Sequence, residues 1–151
     1  MSLHLPDTSV WLATVVSGHV HHHAAAAWLD TVDSSESVVF CRATQQSFLR
    51  LLSQASVHAP YGDPPLSNDS AWDAYESLIA DDRIVFQPDE PVGIEQYWKE
   101  YSRRATASPK LWMDAYLAAF ARATDYRLVT TDAAFRQFAG LDLVLLSAVS
   151  G

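Results

Sequence analysis

The chain has 151 residues, of which 49% are hydrophobic, and its formal net charge is −8. This length and apolar share fit one globular domain, residues 1–151, with a sizeable core. No apolar run approaches the roughly 18 residues that a membrane span needs, and the N-terminus lacks the basic and then hydrophobic pattern of a signal peptide. We therefore expect no membrane contact and a cytoplasmic protein.

The single cysteine bears on the cellular compartment, and the negative net charge bears on the class of function. Cys41 is the only cysteine, so an internal disulfide is excluded, in agreement with a reducing compartment. The net charge argues against a protein that holds nucleic acid by bulk electrostatics. A nucleic-acid enzyme stays open, because acids that bind a cation count as negative until the metal is included.

Strand-like and helix-like patterns alternate from the N-terminus onward. Residues 3–7 predict a strand, and Thr8 is a candidate N-cap for a helix that breaks at Gly18. Residues 21–33 predict a second helix because their apolar side chains recur at helical spacing. Residues 38–40 then predict a short buried strand.

The alternation continues through the rest of the chain. Thr44 is a candidate cap for a third helix, the Pro- and Gly-rich stretch 58–68 predicts a loop, and the helix after it extends to about Ala80. Further strands are predicted at 83–86, 127–131 and 141–146, and further helices at 92–106, 109–124 and 133–139. This order is typical of an α/β fold with parallel strands, in which ligands bind beyond the carboxyl ends of the strands.

Three aspartates lie at positions where a carboxylate is costly. Asp7 and Asp132 each follow a predicted strand, and Asp114 has apolar residues at i+3, i+4 and i+7, which places it on the apolar stripe of a helix. A buried carboxylate needs a partner, and a metal ion is one. No histidine or cysteine accompanies these aspartates at zinc-ligand spacing, so Mg²⁺ or Mn²⁺ is favoured over Zn²⁺.

Four segments resemble the motifs of the PIN-domain ribonucleases and their VapC toxin branch. They are residues 5–12 (LPDTSVWL), 44–52 (TQQSFLRLL), 112–119 (WMDAYLAA) and 128–135 (LVTTDAAF). The four segments follow the order and spacing of the family over nearly the whole chain. The resemblance implies a PIN-like three-layer α/β/α fold with a short, mostly parallel central sheet.

The resemblance also implies an activity and its partners. It implies a metal-dependent endoribonuclease, the toxin of a type II toxin–antitoxin pair, that hydrolyses RNA by in-line attack of a metal-activated water. Asp7, Asp114 and Asp132 are then the ligands of Mg²⁺ or Mn²⁺. The implied partners are an RNA substrate, a cognate VapB-type antitoxin and a second copy of the chain in a homodimer.

Thr8 and Thr130 are close to two of these aspartates in the sequence. We expect their hydroxyls to donate hydrogen bonds to the metal ligands. For Thr8 the alternative is a role as helix cap only. The family supplies a further glutamate from the helix at 44–52, where this chain has no acid. Gln45 is the best match, and a neutral amide there predicts weaker metal affinity than four acids give. Arg50 on the same helix is a candidate for a phosphate contact, or else for an ordinary salt bridge.

The missing glutamate also supports an alternative function, a catalytically weak PIN domain that acts as an RNA- or protein-binding module. A phosphatase of the haloacid-dehalogenase type fits poorly, because Ser9 stands where that family needs a second aspartate. The basic residues Arg103, Arg104 and Lys110 form either a track for phosphates or a solvated helix face.

The aromatic residues are divided between the core and the surface. Trp11, Trp28 and Trp112 are predicted to pack in the core. Trp98, on a middle helix, is assigned either to the core or to an interface.

Overall fold

The computed structural model describes residues 3–147, which form a five-stranded parallel sheet between layers of helices. The strands are β1 (Leu3–Pro6), β2 (Ser37–Cys41), β3 (Ile84–Gln87), β4 (Arg127–Thr130) and β5 (Leu143–Leu145). The helices are α1 (Thr8–Val15), α2 (His22–Thr31), α3 (Arg42–Leu52), α4 (Ala55–His58), α5 (Asn68–Ile79), α6 (Ile94–Ser102) and α7 (Leu111–Thr124). Two 3₁₀ turns lie at Ala59–Tyr61 and Ala133–Gln137.

The strand order β3-β2-β1-β4-β5 places β1 at the centre of the sheet. On one side β1 pairs with β2, and on the other side it pairs with β4, with Pro6 opposite Val129. The backbone N–H of Asp7 donates to the carbonyl of Val129 at 2.9 Å. The carboxyl ends of β1 and β4 therefore meet where the strand order reverses, which is the usual ligand edge of such sheets.

Alternate residues of the strands face two different helix layers. Val39 and Cys41 of β2 pack in the cluster that contains the inner face of α7, whereas Val38 and Phe40 pack with α1, α3 and α5. The indole of Trp11 stacks on Phe40 with the ring centroids 3.8 Å apart. This arrangement confirms the predicted three-layer α/β/α fold.

The tryptophans predicted for the core differ in their burial. Trp11 is buried and Trp28 is half-buried against two core clusters, but Trp112 is 56% exposed, so its prediction is wrong. The buried positions of α7 are Ala115 and the run 117–121. Trp112 lies in the first turn of α7, on the side of the helix away from the sheet.

Several predicted boundaries and caps also differ from the structure. Asp7 and not Thr8 is the N-cap of α1, since its carboxylate accepts the N–H of Val10 at 3.2 Å. Thr44 is not the N-cap of α3, which begins two residues earlier with Cys41 as its N-cap; the hydroxyl of Thr44 accepts the Cys41 N–H at 3.1 Å. The stretch 58–68, predicted as a loop, includes the 3₁₀ turn and the end of α4.

Among the described residues, no helix has the length and the apolar character needed to cross a membrane.

Candidate active site

Asp7, Asp114 and Asp132 line one open cleft of about 420 Å³. Asp7 follows β1, Asp132 follows the neighbouring β4 by two residues, and Asp114 lies in the first turn of α7. The cleft therefore lies at the carboxyl edge of the sheet, where the alternation of strands and helices predicts a ligand site. The structure brings together the three aspartates that the sequence singles out.

Asp7 is the most buried of the three and the most firmly held. The hydroxyl of Ser9 donates to its Oδ1 at 2.6 Å, and the hydroxyl of Thr130 donates to its Oδ2 at 2.5 Å. Burial raises the pKa of Asp7, while these hydrogen bonds and that of the Val10 N–H oppose the rise. Both carboxylate oxygens thus keep a fixed orientation before any ligand binds.

Asp114 and Asp132 are progressively more exposed to solvent. Burial raises the pKa of Asp114 from 3.8 to about 6, and repulsion from the charges of Asp7 and Asp132 adds to the rise. The carboxylate of Asp132 accepts the N–H of Ala134 at 2.9 Å, which caps the 3₁₀ turn after β4. The three aspartates therefore give the cleft a negative charge that their mutual contacts do not neutralise.

The residues of the cleft fit a hard divalent cation by their chemistry. Carboxylate oxygens are the ligands that Mg²⁺ and Mn²⁺ prefer, and the raised pKa of Asp114 marks a position that a positive charge would stabilise. Within residues 3–147, no group of three His, Cys, Asp or Glu side chains already stands at metal-binding spacing. The exposed Asp132 and the half-buried Asp114 would have to turn towards an ion, whereas Asp7 is already fixed.

Of the two predicted hydroxyl donors, Thr130 contacts Asp7, and Thr8 only lines the cleft. The second donor to Asp7 is Ser9, which sequence reasoning did not identify as a site residue. Ser9 also forms a hydrogen bond with the hydroxyl of Thr131 at 3.1 Å. A hydroxyl two residues after an N-capping aspartate is a local signal that points to this contact.

Gln45 is buried on α3 but does not line the cleft. Its carbonyl oxygen accepts from the Arg42 guanidinium at 2.5 Å, and its hydrogen bond with Tyr75 opposes the rise that burial causes in the Tyr75 pKa. Both partners lie on the side of α3 that faces away from the aspartates. The prediction of Gln45 as a site residue rests on its spacing from Leu49, which also packs on that side.

The face of α3 that borders the cleft carries Ser47, Arg50 and Leu51. These positions are three and four residues apart and so lie on one side of the helix. Arg50 is exposed, and its only side-chain partner within residues 3–147 is the neutral Gln54, at 3.3 Å. The guanidinium is therefore available at the rim, while α3 adds no carboxylate to the site.

Comparisons with known proteins agree with this geometry. The PIN domain family matches residues 5–141 of the chain. Ribonuclease VapC41 of Mycobacterium tuberculosis is 53% identical over 143 residues, which cover 95% of this chain and 98% of that relative. Ribonuclease VapC29 of the same organism is 33% identical and covers 94% of this chain and 95% of its own length.

Solved structures show the same fold at low sequence identity. VapBC2 from Rickettsia felis, bound to a DNA fragment from its promoter, superposes with a TM-score of 0.64 at 14% identity, covering 96% of this chain and 99% of that chain. Mycobacterium tuberculosis VapC20, a toxin that cleaves the sarcin-ricin loop, has a TM-score of 0.63 at 17% identity, covering 92% and 97%. Because the family match spans most of the chain and a VapC ribonuclease is identical at over half of the aligned positions, this protein belongs to the PIN-domain family, in its VapC branch.

Proposed function

We propose that the protein is a metal-dependent endoribonuclease that hydrolyses RNA phosphodiester bonds. The observation that carries this proposal is the convergence of Asp7, Asp114 and Asp132 in one cleft, with the pKa of Asp114 raised to about 6. Acidic clusters of this kind serve phosphoryl chemistry when a divalent cation neutralises them. The ribonuclease names of the relatives support RNA as the substrate.

The proposed cofactor is Mg²⁺, with Mn²⁺ as a substitute, held by Asp7, Asp114 and Asp132. When bound, the cation supplies charge neutralisation at the phosphodiester and a more acidic water as nucleophile.

The residues of the chain fix the geometry of the reaction. Ser9 and Thr130 hold the two oxygens of Asp7, and Thr130 also accepts the backbone N–H of Asp132 at 3.0 Å. The guanidinium of Arg50, at the rim, is placed to bind a phosphate oxygen of the substrate. Binding the phosphate and aligning it with the attacking water is the part of catalysis that this chain supplies.

We further propose that the nuclease is the toxin of a type II pair, inhibited by a VapB-type antitoxin. Structural neighbours of the fold include toxin–antitoxin complexes from Rickettsia felis and Haemophilus influenzae. The negative cleft gives a physical reason for an antitoxin tail to carry an arginine, which pairs with carboxylates bidentately. A complex structure without a basic side chain near Asp7 would refute that detail.

The homodimer and the cytoplasmic location are also proposals. The family resemblance motivates the homodimer, and an RNA target together with a lone, buried Cys41 motivates the cytoplasm. Sedimentation of the purified chain tests the first, and cell fractionation tests the second.

A second candidate function is a catalytically weak PIN domain that binds RNA or protein. The observation in its favour is that α3 presents Ser47 and Arg50 to the cleft and no acid. In this case Asp114→Asn would leave the growth arrest caused by expression unchanged, whereas a nuclease toxin would lose its effect.

Cleavage of labelled RNA by the purified protein tests the nuclease proposal. We expect cleavage with Mg²⁺, none with EDTA, and a large loss in Asp132→Asn, whose exposed side chain can change without disturbing the core. Asp142→Asn is the matched control, because Asp142 is an exposed acid that pairs with Arg127 near the opposite edge of the sheet. Cleavage that survives both EDTA and Asp7→Ala would refute the proposal.

A further inference from the structure

A cleft larger than that of the three aspartates lies outside the candidate active site. It has a volume of about 980 Å³ and lies between α6, the start of α7 and the linker 103–110 that joins the two helices. We call it the α6–α7 cleft. Trp98 and Trp112 form its apolar wall, and the linker forms its polar rim.

The linker is basic in an otherwise acidic protein. Its eight residues, RRATASPK, include Arg103, Arg104 and Lys110 and no acid, whereas the whole chain has a net charge of −8. None of these three cations lies within 4 Å of a carboxylate of residues 3–147; Arg104 donates to the neutral Gln137 at 3.0 Å. Glu95, an acid on the cleft wall, pairs with Lys99 at 3.7 Å.

Two indoles give the cleft a preformed aromatic wall. The Nε1–H of Trp98 donates to the carbonyl of Trp112 at 3.0 Å, and the two rings meet edge to face at 6.1 Å. Tyr116 also packs edge to face against Trp98, with the ring centroids 5.6 Å apart. The Trp112 ring is thus held by its edge-to-face contact with Trp98, while 56% of the residue stays exposed. An exposed indole packed against a second ring is a platform on which a flat ring can stack.

The α6–α7 cleft is continuous with the candidate active site. Arg104, Ser108 and Pro109 line both this cleft and a smaller hollow of about 450 Å³. Asp114 lines that hollow and also the cleft of the three aspartates. A linear ligand can therefore run from the carboxylates along the basic linker to Trp112 without crossing the protein surface elsewhere.

We infer that the α6–α7 cleft binds the single-stranded RNA that flanks the cleaved bond. Phosphates of the flank contact Arg103 and Arg104 in this cleft and Lys110 in the adjoining hollow, and one base stacks on Trp112. Paired RNA does not bind there, because the faces of its bases are already stacked inside the duplex. The inference rests on the proposed nuclease function and adds the position and the conformation of the substrate beyond the reacting phosphate.

RNA binding tests this inference separately from cleavage. The Asp132→Asn protein serves as the background, so that the probe stays intact, and the probe is a fluorescein-labelled oligouridine of about 12 nucleotides, within the range of known single-strand sites. Fluorescence anisotropy then gives the dissociation constant over a series of salt concentrations. A hairpin of the same length with a fully paired stem serves as the second probe.

Loss of the base stack and loss of the phosphate contacts predict different changes in RNA binding. Trp112→Ala should weaken binding of the oligouridine between roughly fivefold and 150-fold, the loss expected for one base stack, with no change in the salt dependence. The double variant Arg103→Gln, Lys110→Gln should lower the slope of log affinity against log salt by about 1.4, for two lost phosphate contacts. Neither variant should weaken binding of the paired hairpin by more than twofold or so, by the same reasoning.

Two control variants distinguish loss of a specific RNA contact from unfolding of the protein and from a general loss of positive charge. Trp112→Phe keeps an aromatic face and should bind within a few-fold of the background protein. Arg127→Gln removes one cation that is paired with Asp142, outside the α6–α7 cleft, and should leave affinity and salt slope unchanged.

Three outcomes would overturn the inference. Equal binding by Trp112→Ala and the background protein would remove the stacking site, even if the wild-type protein cleaves RNA and the nuclease proposal stands. Failure of the background protein to bind the oligouridine at all would also overturn the inference. The third outcome is displacement of the oligouridine by an acidic peptide such as hexaglutamate. If binding of that peptide is weakened by the Trp112 and Arg103 substitutions more than RNA binding is, the cleft is assigned to a protein partner instead. Absence of cleavage with intact, cleft-dependent RNA binding would refute only the nuclease proposal.

Discussion

The hydroxyl of Thr130 serves both of the strand-end aspartates. It donates to the Oδ2 of Asp7 and accepts the backbone N–H of Asp132, so one buried side chain sets the separation of two candidate ligands. Valine has nearly the same side-chain shape as threonine but lacks the hydroxyl. The two contacts can therefore be removed without opening a cavity.

We expect Thr130→Val to lower the rate of RNA cleavage by about 10- to 100-fold, the usual effect of losing a group that orients a metal ligand. Thr124→Val is the control, since the Thr124 hydroxyl bonds only backbone groups, two carbonyls of α7 and the N–H of Tyr126, and no site residue. The measurements are kcat and the thermal midpoint of each variant. Equal activity of the two variants at equal stability would contradict the orienting role of Thr130.

The raised pKa of Asp114 predicts a pH-dependent cost in stability. The unfolded chain releases this proton near pH 3.8 and the folded chain near pH 6, because burial and the neighbouring aspartates disfavour the charged form. The cost to the metal-free fold is therefore absent below about pH 3.8, grows between the two values and is complete above pH 6.

We expect Asp114→Asn to raise the free energy of unfolding of the metal-free protein by about 1 kcal/mol above pH 6, after allowance for solvent screening of a half-exposed group. The gain should shrink as the pH falls below 6. Urea unfolding in EDTA between pH 4 and pH 8 measures it. A gain that grows towards acidic pH would contradict the assignment.

At the scale of elements, α3 decides how many acids the site holds. Its face towards the aspartates carries Ser47 and Arg50, while Gln45 points to Arg42 and Tyr75. The sequence predicts Gln45 as a neighbour of the metal, on the ground that it lies inward. It does lie inward, but α3 packs against α5 on one side and borders the cleft on the other, and spacing alone does not distinguish the two sides.

We expect Ser47→Glu to lower the Mg²⁺ concentration for half-maximal cleavage by about tenfold, an effect of roughly 1.4 kcal/mol from one added carboxylate. Gln45→Glu should leave that concentration unchanged, because its carboxylate would pair with Arg42 instead. Titration of activity with Mg²⁺ compares the two variants. The opposite ranking would show that position 45 reaches the ion.

The limits of sequence reasoning are clearest between α6 and α7. Apolar periodicity predicts both helices, but extends the first to residue 106 and starts the second at 109. The structure ends α6 at Ser102 and begins α7 at Leu111, and seven of the eight residues between them line the α6–α7 cleft. Alternation of strands and helices was enough to predict the parallel sheet and its ligand edge, because both follow from local pattern. The width of a linker and the outward face of Trp112 depend on tertiary packing that no local pattern contains.

At the scale of the whole molecule, the fold holds three like charges in one place before any cation binds. A cation that binds only the folded state stabilises it by mass action. We expect Mg²⁺ at tenfold its dissociation constant to add about 1.4 kcal/mol, or about 3–6 °C in the thermal midpoint of a chain of this size.

Differential scanning calorimetry of the wild-type protein with and without Mg²⁺ measures this shift. Asp7→Asn should abolish it, and Asp142→Asn, near the opposite edge of the sheet, should retain it. An equal shift in both variants would assign the stabilisation to nonspecific ion binding.

The hydrogen bond between Thr130 and Asp7 joins positions that are 123 residues apart in the chain. At about 5–20 residues per second, a ribosome needs roughly 6–25 s to travel from one to the other. Until synthesis has passed Thr130 and Asp132, a nascent chain that already contains Asp7 lacks two residues of the candidate site. The proposed nuclease activity therefore requires that synthesis has passed Asp132, and we expect fragments that end before Thr130 to lack it.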